Sequence, residues 1–153
     1  MGRVKINNLT RRMFTRSGFT SLFNQIIAAE KLITHLEVII NIVGPKKIRE
    51  LNRQYRKKNT FTDVLSFNEP SIFWPLGNKK NSIGELFICP QVIQENAKQY
   101  GVNYSEELKR VLIHGILHLL KYTHKKNLND GQEEMFIRQE KYLKIANRLS
   151  LIK

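Results

Sequence analysis

Apolar residues recur along this chain in two rhythms. Between Ser17 and Glu30, Phe19, Leu22, Phe23, Ile26 and Ile27 fall at three- and four-residue steps, the stripe of a helix that buries one side. LEVIINIV (36–43) is instead β-branched and nearly continuous, which predicts a strand buried on both faces. RVKIN (3–7), FTDVLSF (61–67) and SIGELFIC (82–89) read as three further short strands. Pro45, just after Gly44, suits the first turn of a helix running to about Arg56. A short helix fits 91–100, between Pro90 and the stop signal Gly101. Ser105 is a candidate N-cap for the next helix, with Glu106 and Glu107 in its first turn. Leu108, Val111, Leu112, Gly115 and Leu119 mark its packing face to about Leu120. NLNDG (127–131) reads as a break, and a last helix is expected from about Gln132 to Leu151. Pro, Gly and Asn in NEPSIFWPLGNKKN (68–81) predict a loop. The expected architecture is one α+β domain over residues 1–153, a small mixed sheet of about four strands packed by about five helices.

Composition narrows the partner more than the fold. Lys and Arg total 26 against 13 Asp and Glu, a net charge of +13 that favours an anionic partner, most simply nucleic acid. General compositional drift toward Lys is the bland alternative, but drift would raise Glu as well. No apolar run approaches the roughly 20 residues that span a bilayer, so no membrane role is expected. The start MGRVKINNLTRRMF has no secretory apolar core; its basic, acid-free character would also suit an organelle presequence, but RVKI reads as a strand. The single cysteine, Cys89, fits a reducing, cytoplasmic setting, and its neighbours LFICP favour a small buried hydrophobe over a nucleophile.

HGILHLLKYTH (114–124) carries three of the four histidines. His114 and His118 stand four apart on the expected helix, so both rings leave nearly the same face. That is the spacing with which two histidines grip one metal ion. His124 would point roughly 120° away and lie about 9 Å beyond His118 if the helix continued, so it joins the pair only if the chain turns back. Three histidines with a fourth position open to water describe a catalytic zinc site, and scattered structural histidines are the alternative. The spacing matches the long zinc-protease motif, but that motif needs Glu where Gly115 stands and Gly where Lys121 stands. A glycine beside a ligand lets another backbone pack closely, so a metal site without protease chemistry is expected.

HGILHLLKYTH resembles the signature HGxLHLxGYDH of the YbeY family. LNRQYRKKNTFTDVLSF (51–67) resembles that family's LNxxYRxKxxPTDVLSF, and IGELFICPQVI (83–93) its LGDIxICPEVI. EEMFIRQEKYL (133–143) fits its helical end, so the likeness runs in register from about Ile48 to Leu143. The resemblance implies a zincin-like three-histidine site and a metal-dependent, single-strand-specific endoribonuclease. It further implies a role in ribosomal RNA processing, maturation and ribosome quality control. By position it makes His114, His118 and His124 ligands to one zinc ion per chain, with Arg56 and His114 in the catalytic set. It implies single-stranded ribosomal RNA, the small ribosomal subunit and its assembly factors as partners.

Four positions depart from the pattern. Thr123 replaces an Asp, Lys121 a Gly, Phe61 a Pro and Glu85 an Asp. Asp63 and Glu85 are further candidates for acid–base work or for orienting ligands, with strand-end hydrogen bonding the plain alternative. Tyr55, Phe73 and Trp74 could stack unpaired bases, although Phe73 and Trp74 also suit a loop anchor. The rival to a nuclease is a non-catalytic basic RNA-binding assembly factor whose metal is structural or absent, which the departures at Lys121 and Thr123 favour.

Overall fold

The computed structural model describes residues 2–32, 35–68, 81–120 and 128–153. Its strands are β1 (Arg3–Asn8), β2 (Glu37–Ile42), β3 (Val64–Phe67) and β4 (Ser82–Ile88). They form one sheet in the order β1-β2-β4-β3. β1, β2 and β4 run parallel, while β3 pairs antiparallel with β4 at the edge. The helices are α1 (Arg16–Ala29), α2 (Pro45–Arg56), α3 (Pro90–Tyr100), α4 (Tyr104–Leu119) and α5 (Leu128–Ile145), followed by a 3-10 turn at Ala146–Arg148. Among the described residues, four strands in a mixed sheet and five helices agree with the α+β expectation.

Every residue of β2 is buried, as its continuous apolar run requires, because helices lie on both faces of the sheet. Val4, Val38, Ile40, Ile42, Leu86 and Ile88 point to one face and pack against α1 and α4, with Met135, Tyr142 and Leu143 of α5 in the same cluster. The opposite face sets Val43, Leu65, Phe87 and Cys89 against Ile48 and Leu51 of α2. The α1 stripe read from the sequence is buried throughout. Cys89 is buried too, and burial pushes its thiol pKa up, so it behaves as a small hydrophobe rather than as a nucleophile.

Four expectations need correction. NLNDG is not a break: its last four residues lie in the first turns of α5, which starts at Leu128 and ends at Ile145 rather than spanning 132–151. The α4 cap is Asn103, whose side chain accepts the Ser105 N–H at 2.8 Å; Ser105 is already inside the helix. Glu106 and Glu107 nonetheless sit in the first turn, where the helix dipole favours acids. β3 begins only at Val64: the Asp63 carbonyl still accepts the Cys89 N–H, but Phe61 lies exposed before the strand. Finally, the contacts at Gly115 are side chains, not backbone. A Cβ there would lie 2.9 Å from Leu86 Cδ2, 3.1 Å from Leu86 Cδ1 and 3.4 Å from Val64 Cγ2.

Candidate active site

α4 carries the histidine pair. Gly115 faces the sheet, and His114 and His118 lie roughly 60–100° round the helix from it, on the flank where His114 meets Gln139 of α5. This also explains why the protease comparison fails at Gly115: a glutamate there would drive into β4 rather than toward the histidines. His114 and His118 bring their Nε2 atoms to 2.9 Å of one another, with ring centroids 4.4 Å apart. The other nitrogen of His114, Nδ1, lies 2.8 Å from Oε1 of Gln139 on α5.

α5 is itself well moored. Arg110 of α4, just below the pair, bonds Glu140 at 3.2 Å and Glu107 at 3.1 Å. Burial works against the Arg110 charge, but the bond to Glu140 and the fields of Glu107 and Glu106 outweigh it and raise its pKa. On the other side of α5, Arg138 and the Tyr142 hydroxyl converge on the buried carboxylate of Glu30, at 3.1 Å and 2.5 Å. The tyrosine pKa is raised by its burial and by that carboxylate.

The far end of α4 is fixed to the sheet edge. Asn68, directly after β3, donates its side-chain amide to the Leu119 carbonyl at 2.9 Å. Gly84 of β4 sits beneath, at φ +131, where a Cβ would overlap the Phe67 carbonyl and the Leu119 side chain. Two residues before Asn68, the Ser66 carbonyl accepts a hydrogen bond from Arg56 Nη2 at 2.6 Å. The Arg56 guanidinium also lies over the Phe67 ring, 5.0 Å from its centroid. Arg56 ends α2, whose cap Lys57 adopts a left-handed φ of 60°. A short edge strand thus ties down both the arginine and the histidine helix, at backbone positions about 7 Å apart along the strand.

The remaining candidates divide. Glu85 is 3% exposed and alternates with Leu86, so it occupies the sheet face turned away from α4. One of its oxygens takes the Asn41 amide at 2.6 Å, and the other is buried without a hydrogen-bond partner. Asn41 in turn accepts from Asn7, which makes a polar track across three strands, separate from the histidine pair. The structure therefore removes Glu85 from direct work at the pair. Asp63 enters only through its backbone bond to Cys89. Tyr55 packs edge-on against Phe67 at 5.4 Å, which extends the wall beside Arg56. His124, Lys121, Thr123, Phe73 and Trp74 lie outside the described residues, and among the described residues no third His, Cys, Asp or Glu joins His114 and His118.

The donor chemistry of the pair fits a small divalent cation. Two Nε2 atoms aimed at one point repel each other unless a proton or a cation lies between them. Ligands about 2.0–2.1 Å from a tetrahedral zinc would stand about 3.3 Å apart, only slightly wider than the 2.9 Å seen here. The residue that sequence reasoning missed is Gln139. Its signal was a polar side chain in the stripe Met135, Gln139, Tyr142, Ala146, at a position that helical spacing reserves for a hydrophobe.

The mixed sheet and the helices packed on it are an arrangement shared with a solved protein. The solution structure of TM1509 from Thermotoga maritima superposes with a TM-score of 0.65 and 29% identity, covering 94% of this chain and 88% of that one. The profile of the family described as Endoribonuclease YbeY matches residues 5–147. An Endoribonuclease YbeY of Thermotoga petrophila is 37% identical over 119 residues, 78% of this chain and 72% of the relative. Another, from Staphylococcus carnosus, is 38% identical over 116 residues, 72% of each. The chain belongs to the YbeY family. Among the described residues no helix is long and apolar enough to cross a membrane.

Proposed function

We propose that this chain, acting as one domain over residues 1–153, is a metal-dependent endoribonuclease that cuts single-stranded RNA. The convergence of His114 and His118 through Nε2, 2.9 Å apart, is the observation that carries the reading. His114, His118 and His124 would hold one zinc ion. A bound zinc would polarise a phosphoryl oxygen and lower the pKa of a coordinated water. Arg56 supplies the second element: its planar fork donates hydrogen bonds to phosphate oxygens and offsets their charge as the phosphorane forms. Phe67 and the Ser66 carbonyl hold that fork in place before substrate arrives. His114 belongs to the catalytic set through its ligand bond. The net charge of +13 draws the polyanion in, with a steep salt dependence. On this reading the substrate is ribosomal RNA during maturation and quality control. The partners are the small ribosomal subunit and its assembly factors, and the setting is the cytoplasm.

The test joins metal content to cleavage. Tag-free protein should carry about one zinc per chain, weakened or lost in His124→Ala. His118→Ala should abolish cleavage of a labelled single-stranded RNA while retaining most of its binding. Cleavage by His118→Ala equal to that of the parent protein would overturn the proposal. RNA binding with no turnover and no metal would instead favour the assembly-factor reading.

A further inference from the structure

Histidine binds a metal through Nε2 only when that nitrogen carries no proton. A neutral imidazole in water prefers the opposite form, with the proton on Nε2. Something must hold the proton on Nδ1 of His114 if this ring is to serve as a ligand, and the structure contains a group able to do so.

Gln139 Oε1 lies 2.8 Å from His114 Nδ1. Its amide nitrogen faces Glu140 Oε1 at 3.5 Å. A carboxylate only accepts, so the nitrogen belongs on that side and the carbonyl oxygen faces the histidine. That oxygen also only accepts, so His114 Nδ1 must donate, and in the neutral ring Nε2 then keeps the lone pair. Nε2 is the atom that meets His118. Gln139 is 8% exposed and cannot readily swing away, because the ion pairs on its two neighbours fix α5 on both sides. Glu140 is bound to Arg110 of α4, and Arg138 to Glu30 at the end of α1.

We infer that Gln139 is a positioning residue that locks His114 in the Nδ1–H form and thereby sets the metal affinity of the histidine site. The inference rests on the metal-site reading above and extends it to α5: a helix that contributes no ligand among its described side chains controls the readiness of one. It follows that loosening α5 weakens metal binding even where every ligand is intact.

The test uses full-length protein in two states. In metal-free protein, long-range nitrogen–proton correlations of the imidazoles should show His114 protonated at Nδ1, and Gln139→Leu should move the proton to Nε2. Leucine suits the apolar stripe, so unfolding of the metal-free variant should stay close to that of the parent. In competition with a chromophoric chelator, Gln139→Leu should bind zinc about 10–100-fold more weakly. Gln139→Glu retains an acceptor and should stay within a few-fold of the parent. A parent His114 protonated at Nε2, equal zinc affinity in Gln139→Leu, or a Gln139→Glu as impaired as Gln139→Leu would each overturn the inference. A parent protein that takes up no zinc while still showing Nδ1–H at His114 would instead sink the metal-site reading, and the inference about affinity with it.

Discussion

Replacing Gly115 with alanine sets two well-known effects against each other. Alanine in a helix interior is favoured over glycine by about 1 kcal/mol. On an open helix face Gly115→Ala would therefore stabilise the protein. Here the new Cβ would sit 2.9 Å and 3.1 Å from the two terminal methyls of Leu86, and 3.4 Å from Val64 Cγ2. Carbon atoms in contact prefer about 3.5–4.0 Å, so at least one pair must part by about 0.6 Å. Both methyls are crowded, so exchanging their places by rotation gives no relief. Leu86 is fully buried in the middle of β4 and cannot retreat. Overpacking of this kind costs about 1–3 kcal/mol, which outweighs the propensity gain. The expected result is a net loss of about 1 kcal/mol and a melting temperature lower by about 2–4 °C. Chemical denaturation of four proteins would measure it: the parent, Gly115→Ala, Leu86→Val and the double variant. In the Leu86→Val background both offending methyls are gone, and Gly115→Ala should become stabilising, a coupling of opposite sign to simple addition. A single Gly115→Ala variant that melts higher than the parent would refute the argument.

Further expectations concern the arginine, the α5 mooring and pH. Arg56→Lys keeps the charge but loses the planar fork seated on Phe67 and Ser66, so it should lose about 10²-fold or more in kcat with little change in circular dichroism; full activity would count against the role. Tyr142→Phe removes one of the bonds to the buried Glu30 carboxylate and should cost about 1.5–3 kcal/mol in urea denaturation, with Arg138 still bound to that carboxylate. Cys89, Tyr104 and Tyr142 all have pKa values raised above 9.0, 10.0 and 10.0, mainly by burial. The folded chain then holds protons that the unfolded chain releases. The resulting stability is complete below pH 9.0 and falls as pH climbs past the ordinary values toward the raised ones. Urea midpoints across alkaline pH should decline, and Cys89→Ala should flatten the first part of that slope.

The elements that could be read in advance are those in which local pattern and tertiary burial agree. EVIINI is apolar because both of its faces are covered, and the α1 stripe is regular because it meets one flat sheet. Pro90 and Gly101 bracket α3 because one suits a first helical turn and the other the left-handed cap at φ 69°. NLNDG misled because Asn, Asp and Gly mark helix starts as well as breaks, and only packing of α5 on α4 decides between them. The histidine pair was legible because its spacing is local. Gln139 was not, since its meaning depends on a partner 25 positions away that only the docking of α5 brings within reach.

β3 has a further consequence, for how this protein behaves at high concentration. A strand on the rim of a sheet offers unpaired backbone groups to any neighbouring molecule that can add a strand of its own. On this rim the Ser66 carbonyl is already covered by the Arg56 guanidinium, and Asn68 is tethered to the end of α4. The opposite rim, β1, presents Arg3 and Lys5, charges that disfavour stacking by another chain. The arginine proposed to bind phosphate would then also guard this edge against self-association. Its removal should then produce two defects to be measured separately, slower RNA cleavage and a stickier edge.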